Sequence, residues 1–210
     1  MSILEEAWEQ REQKIYKSLI GNMGEGIYTL SFDLFKNQFG RESVDPTWLH
    51  YGVFKCPPSN ERNTWVYISS GMSNPWYAED KEEYSGLGTE LILETETDVS
   101  WGIPLVQSLV AFNILVSVGH FGEKPLLEHW ARIPQPIEPN ISNLVLGIPK
   151  HFPESIELVS GKVDLLQIIG ITKEEFIFAQ EKGSPAICEL LIERAIYPIT
   201  NPNRRSTINA

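Results

Sequence analysis

The chain has 210 residues, 42% apolar and 21% charged, which is enough for one sizeable hydrophobic core. Its formal charge of −11 argues against nonspecific nucleic-acid binding, which needs a basic footprint, and suits encounter with a basic partner. The two cysteines, Cys56 and Cys188, lie far apart with no CxxC or Cys/His cluster. A structural zinc site and a disulfide framework are therefore unsupported, which fits a reducing compartment.

The first residues, MSILEEAWEQREQK, carry acids where a signal peptide needs bases followed by an apolar run. Ser2 and Glu5 make an S-x-x-E capping box. Leu4, Trp8, Ile15 and Leu19 fall near one face of a helix over residues 2–20, which Gly21 can stop. Residues 21–26 read as loop. We take 1–26 as an N-terminal helix and loop, and 27–210 as one domain. Residues 27–39 show no clean period. Asp45-Pro46 signals a turn, 47–56 reads as a strand, and 64–70 as the next. In 86–98 the alternation is clear. Leu91, Leu93, Thr95 and Thr97 share one face, and Glu90, Ile92, Glu94, Glu96 and Asp98 the other.

A helix apolar on most sides is predicted over 104–118, closed by Gly119. The apolar run 103–118 is broken by Gln107, Ser108 and Asn113 and is shorter than the ~20 residues of a membrane span. A cytoplasmic protein with no membrane partner is expected. Strands are predicted over 126–132, 142–148, 155–160 and 163–169. A second capping box, Thr172 with Glu175, opens a helix to about residue 182, and Pro185 suits the first turn of a last helix to about 195. The tail from Tyr197 reads as irregular. Strands come in runs, so the expected fold is a single α+β domain: a mixed, mostly antiparallel sheet flanked by helices.

Catalytic motifs are weak. Ser70 and Ser73 stand at a strand end, but S-S-G-M-S-N-P lacks the G-x-S-x-G elbow and the helix after it. The glycines of GNMGEG and GLG are too few and wrongly placed for a nucleotide loop. His50, His120, His129 and His151 form no metal-ligand spacing. No catalytic residue, metal or cofactor is assigned. The alternative to a binder is a hydrolase pairing Ser70 or Ser73 with a distant histidine, or a structural, oligomeric role. Glu94, Glu96 and Asp98 form an acidic row on a strand, side chains about 7 Å apart, suited to a basic partner. Trp76 and Tyr77 follow Asn74-Pro75 in a loop and are candidate interface anchors.

Several stretches together resemble the Suppressor of fused-like domain: Asp45-Pro46 before a strand, WVYISSGMS at 65–73, SGLGTEL at 85–91, WGIPLVQSLVAFNILV at 101–116 and ITNPNRRS at 199–206. The resemblance covers most of 45–206, in order. It marks Asp45, Pro46, Gly71, Ser73, Gly86, Gly88 and Glu90 as signature positions. Leu87 stands where the family usually has an aromatic, and Glu94 where a basic residue is common. The resemblance implies a twisted, largely antiparallel sheet and a non-enzymatic protein-binding domain. The animal relatives restrain a transcription factor and carry an additional C-terminal region for which this chain is too short. It is more similar to stand-alone bacterial members, many regarded as immunity proteins that neutralise toxins. The partner implied is a protein, either a basic toxin domain or a peptide added as a strand.

Overall fold

The computed structural model describes residues 2–208. The N-terminal helix runs unbroken through three windings: α1 (Ile3–Glu9), a π-helical stretch (Gln10–Tyr16) and α2 (Lys17–Ile20). Its start follows the capping box: the Ser2 hydroxyl accepts the Glu5 N–H, and the Glu5 carboxylate accepts the Ser2 N–H. The helix stops at Gly21, whose φ of 84° suits glycine. The apolar stripe expected from a 3.6 period lies only at the margins. The residues that turn fully inward are Ala7, Arg11, Tyr16 and Ile20. Their steps of four, five and four residues follow the wider π turn, which shifts the buried line away from the α-helical one.

The strands β1 (Ile27–Thr29), β2 (Gly52–Cys56), β3 (Trp65–Ser70), β4 (Tyr84–Thr95), β5 (Arg132–Ile133), β6 (Asn143–Gly147), β7 (Ser155–Leu158) and β8 (Gly161–Ile171) form one sheet. The order is β1-β2-β3-β4-β8-β6-β5, with β7 beside β8. Only β4–β8 is parallel; every other pair is antiparallel.

The predicted strand over 47–56 is half right. Residues Pro46–His50 form a 3-10 helix, because Asp45 caps the Thr47 N–H at 2.9 Å and Pro46 pre-sets the first turn. The unreadable segment 27–39 divides into β1 and α3 (Phe32–Phe39), the latter capped by the Ser31 hydroxyl. The strand predicted over 126–132 shrinks to the two-residue β5.

Both faces of the sheet are covered. On one, α4 (Gly102–Ser117) lays Leu109, Val110 and Leu115 against Tyr67, Leu91, Leu93, Leu166 and Ile168. On the other, the N-terminal helix packs Tyr16 and Ile20 on Val66, Ile68, Ile92 and Leu165. Beside it, α5 (Lys173–Lys182) and α6 (Ser184–Glu193) pack Ala179, Ile187 and Leu191 on Val145, Ile169 and Ile171. Each fully buried Leu or Ile contributes about 1.5–3 kcal/mol. A strand in this position has two buried faces, so the alternation seen in β4 sorts its residues between two cores, not between core and water.

Candidate functional site

Glu90 of β4 faces the N-terminal helix and is fully buried. The turn after β3 closes around it. Glu90 Oε1 accepts the Gly71 N–H at 2.9 Å, the Ser73 N–H at 3.0 Å and the Ser73 hydroxyl at 2.7 Å, while Oε2 accepts the Ser69 hydroxyl. The carboxylate thus has the donors that make a buried charge tolerable. Gly71 is required for this turn: its φ is 126°, and a Cβ would stand 2.8 Å from Tyr51 Cα. Gly86 (φ 58°) is equally constrained, since a Cβ would meet the Met72 and Asn74 carbonyl oxygens at 2.6 Å. Gly71, Ser73, Gly86 and Glu90 therefore meet at one place. Gly88 (φ 73°) lies beside Tyr84, and Asp45 and Pro46 begin the 3-10 helix.

A second tier comes from the N-terminal helix, and sequence reasoning missed it. Arg11 has no exposed surface. Its guanidinium donates to Ser70 Oγ at 3.0 Å, Ser73 Oγ at 2.9 Å and Asn74 Oδ1 at 2.8 Å. Glu12 accepts the Ser70 hydroxyl at 2.6 Å and lies 3.4 Å from Arg11. No local pattern marks two adjacent charged residues of a helix as both inward-facing; only the partners 58 to 63 residues away explain them. Ser70 and Ser73 are thus buried and bonded to charged groups. No histidine hydrogen-bonds either serine among the described residues. Burial pushes the thiols of Cys56 and Cys188 up to about 12, so neither is a thiolate at neutral pH.

The chain then surfaces. Trp76 folds back, its indole N–H donating to the Tyr51 hydroxyl at 2.9 Å, and its ring sits 5.8 Å from His50. Burial pushes the Tyr51 phenol up to about 12, although the Trp76 bond opposes the shift. Tyr77 is 86% exposed. Both border a groove of about 310 Å³ whose walls include Trp48, Met72, Leu87 and Ile114. The rim continues into Glu79, Asp80, Glu82 and Glu83, all exposed.

The acidic row is not a row. Glu94 is fully buried, because the N-terminal helix side of β4 is covered; Glu96 and Asp98 lie beyond the strand and are exposed. Asp98 pairs with Lys55 at 2.6 Å. Glu94 Oε2 accepts the Thr64 hydroxyl and contacts His151 Nδ1, both at 2.9 Å, and its Oε1 has no partner among the described residues. His129 Nε2 lies 3.3 Å from the Leu165 carbonyl. No group of three or more His, Cys, Asp or Glu suited to a metal occurs among the described residues, and no helix there is long and apolar enough to cross a membrane.

Comparison with known proteins places this geometry in a family. The family model described as Suppressor of fused protein matches residues 47–205. No curated protein matches the sequence. A Suppressor of fused homolog from Neisseria gonorrhoeae FA 1090 aligns over 96% of this chain and 97% of its own, with a TM-score of 0.65 at 15% identity. A chain of the Sufu–Fu complex aligns over 82% of this chain and 86% of its own, with a TM-score of 0.61 at 18% identity. Drosophila Suppressor of Fused aligns over 76% of this chain (TM-score 0.59, 18% identity), but the alignment spans only 43% of the Drosophila protein. These likenesses share the fold; the matched family model reaches from the 3-10 helix to the Arg204-Arg205 tail. The chain belongs to the Suppressor of fused protein family.

Proposed function

We propose that this chain is a non-enzymatic protein-binding domain that acts as an immunity protein, docking one-to-one on a basic toxin domain in the cytoplasm and covering its working surface. One observation carries this reading: the two candidate serines and the charged groups that bond them are sealed inside, while a large aromatic is left in water. Ser70, Ser73, Glu90 and Arg11 are buried, whereas Tyr77 is 86% exposed beside an apolar groove. The structural relative solved as a Sufu–Fu complex supports a binding role. Trp76 and Tyr77 supply the anchor, and Glu79, Asp80, Glu82 and Glu83 with Glu96 and Asp98 supply the steering charge. A partner peptide can also extend the sheet at β1 or β5, its two ends. The hydrolase alternative finds its two serines inaccessible.

The test immobilises the tagged protein, passes native extract over it at low and high salt, and identifies retained proteins by mass spectrometry. One basic protein held in equal ratio, released by salt and not retained by Tyr77→Ser, supports the proposal. Equal retention by wild type and Tyr77→Ser contradicts the loop as the anchor.

A further inference from the structure

The turn after β3 and the loop of Trp76 and Tyr77 are one continuous piece of chain, held from inside by two charged side chains of different reach. Glu90 takes its four hydrogen bonds from Ser69, Gly71 and Ser73 and from no residue beyond them. Arg11 of the N-terminal helix bonds Ser70 and Ser73 and goes one residue further, to Asn74 Oδ1 at 2.8 Å. Pro75, Trp76 and Tyr77 follow at once. Asn74 is therefore where the sealed cluster passes into the exposed loop, and a helix residue 63 positions away holds it there.

Asn74 is 2% exposed. The bond from Arg11 is the one hydrogen bond its side chain makes among the described residues, and its buried Nδ2 has no partner there. The backbone around it is lightly tied. The Asn74 N–H donates to the Gly71 carbonyl at 2.9 Å, and the Asn74 carbonyl accepts the Trp76 N–H at 3.0 Å. The Ala78 N–H reaches the Pro75 carbonyl at 3.4 Å, and Pro75 has no N–H to add. On the outer side, the Tyr51 hydroxyl holds only the indole tip of Trp76. Arg11 suits the inner role. Its planar fork gives Nε to Ser70, Nη1 to Ser73 and Asn74, and Nη2 to Glu12, whose carboxylate balances its charge. Such a fork fixes direction as well as distance, which a lysine ammonium does not.

We propose that Arg11 is a positioning residue for the docking loop: through Asn74, the N-terminal helix sets the path on which the chain leaves the cluster and presents Trp76 and Tyr77. The inference rests on the docking role of that loop. It makes the helix a determinant of docking that need not touch the partner, because a loop held in its binding shape loses less entropy when a partner arrives.

The experiment is native-state hydrogen exchange, read by 1H–15N NMR, on the full chain as wild type, Asn74→Ala and Arg11→Lys. Both variants should speed exchange of the Trp76 and Ala78 amides about tenfold, the opening that one ordinary hydrogen bond holds shut. The Gly71 and Ser73 amides, bonded to Glu90, should keep their wild-type rates. A merely structural role would speed all four amides by one factor. That result, unchanged rates at Trp76 and Ala78, or an effect in Asn74→Ala absent from a folded Arg11→Lys would overturn the proposal. Should Arg11→Lys fail to fold, Asn74→Ala still decides between the first two results and the expected one. These rates need no partner, so the docking reading is tested apart from them. About tenfold weaker retention of the captured partner by Asn74→Ala agrees with both. Faster exchange with unchanged retention supports the positioning and contradicts the loop as anchor.

Discussion

Glu90 and Glu94 lie four residues apart on the same face of β4, both without exposed surface, yet they are wired differently. Glu90 receives four hydrogen bonds, all from residues 69–73, and shares Ser73 with Arg11, which also bonds Ser70. Glu94 receives Thr64 and a histidine whose side chain is 42% exposed, and leaves one oxygen unpartnered among the described residues. The first carboxylate builds the turn after β3, and that turn's Ser70, Ser73 and Asn74 bond Arg11 of the N-terminal helix. The second ties the loop of His151 to the sheet through a contact that water can reach. A buried charge specifies structure in proportion to how completely its partners close around it.

The contrast can be broken by substitution. Glu90→Ala would orphan two buried hydroxyls and two backbone N–H groups, and we expect a loss of about 3–5 kcal/mol in urea unfolding. A loss near that of an ordinary surface change would show that the cluster relaxes or admits water. His151→Ala leaves Glu94 as a buried charge short of a partner and should cost about 1.5–3 kcal/mol. Glu94→Gln removes that charge, so His151→Ala should cost clearly less in its background; a double-mutant cycle measures the difference. Equal costs in the two backgrounds would mean the pair is not coupled.

Acid offers a third probe. Burial tends to raise the Glu175 carboxyl, but the hydrogen bond and charge of Arg204, with the Thr172 and Thr207 N–H groups, hold it below its ordinary 4.5. A carboxylate lowered in the fold stabilises fully above its unfolded value and loses that contribution as pH falls through the folded one. Thermal unfolding followed from pH 6 downward should therefore lose stability from about 4.5 downward. Arg204→Met should flatten that part of the profile, and an unchanged slope would remove Glu175 from the account. The smallest effect is expected at Tyr77→Ser, within about 0.5 kcal/mol of wild type, because the side chain is in water.

What was legible in the sequence was local. The capping boxes Ser2–Glu5 and Thr172–Glu175 are formed as their spacing demands, and α4 follows its apolar run. The alternation of 90–95 sorts Leu91 and Leu93 from Glu90, Ile92 and Glu94 correctly. Its meaning was not legible, because period two is the same whether the second face meets water or a helix. The resemblance gathered Gly71, Ser73, Gly86 and Glu90 as signature positions, and in the structure they meet at one place, Gly71 and Ser73 in the turn after β3 and Gly86 and Glu90 on β4 against it. Arg11, His151 and Arg204 escaped because a charged residue reads as surface until a partner tens of residues away is in place. The π-winding of Gln10–Tyr16 was equally hidden, since helix propensity does not distinguish an α turn from a π turn.

The most direct measurement of the central claim compares Ser73→Ala and Tyr77→Ser, each scored for unfolding midpoint and for retention of the captured partner at equal folded concentration. A sealed polar cluster beside an open docking loop predicts a double dissociation: Ser73→Ala loses stability and keeps the partner, and Tyr77→Ser keeps stability and loses it. Retention lost in a well-folded Ser73→Ala, with Tyr77→Ser indistinguishable from wild type, would contradict the account and return the serines to function.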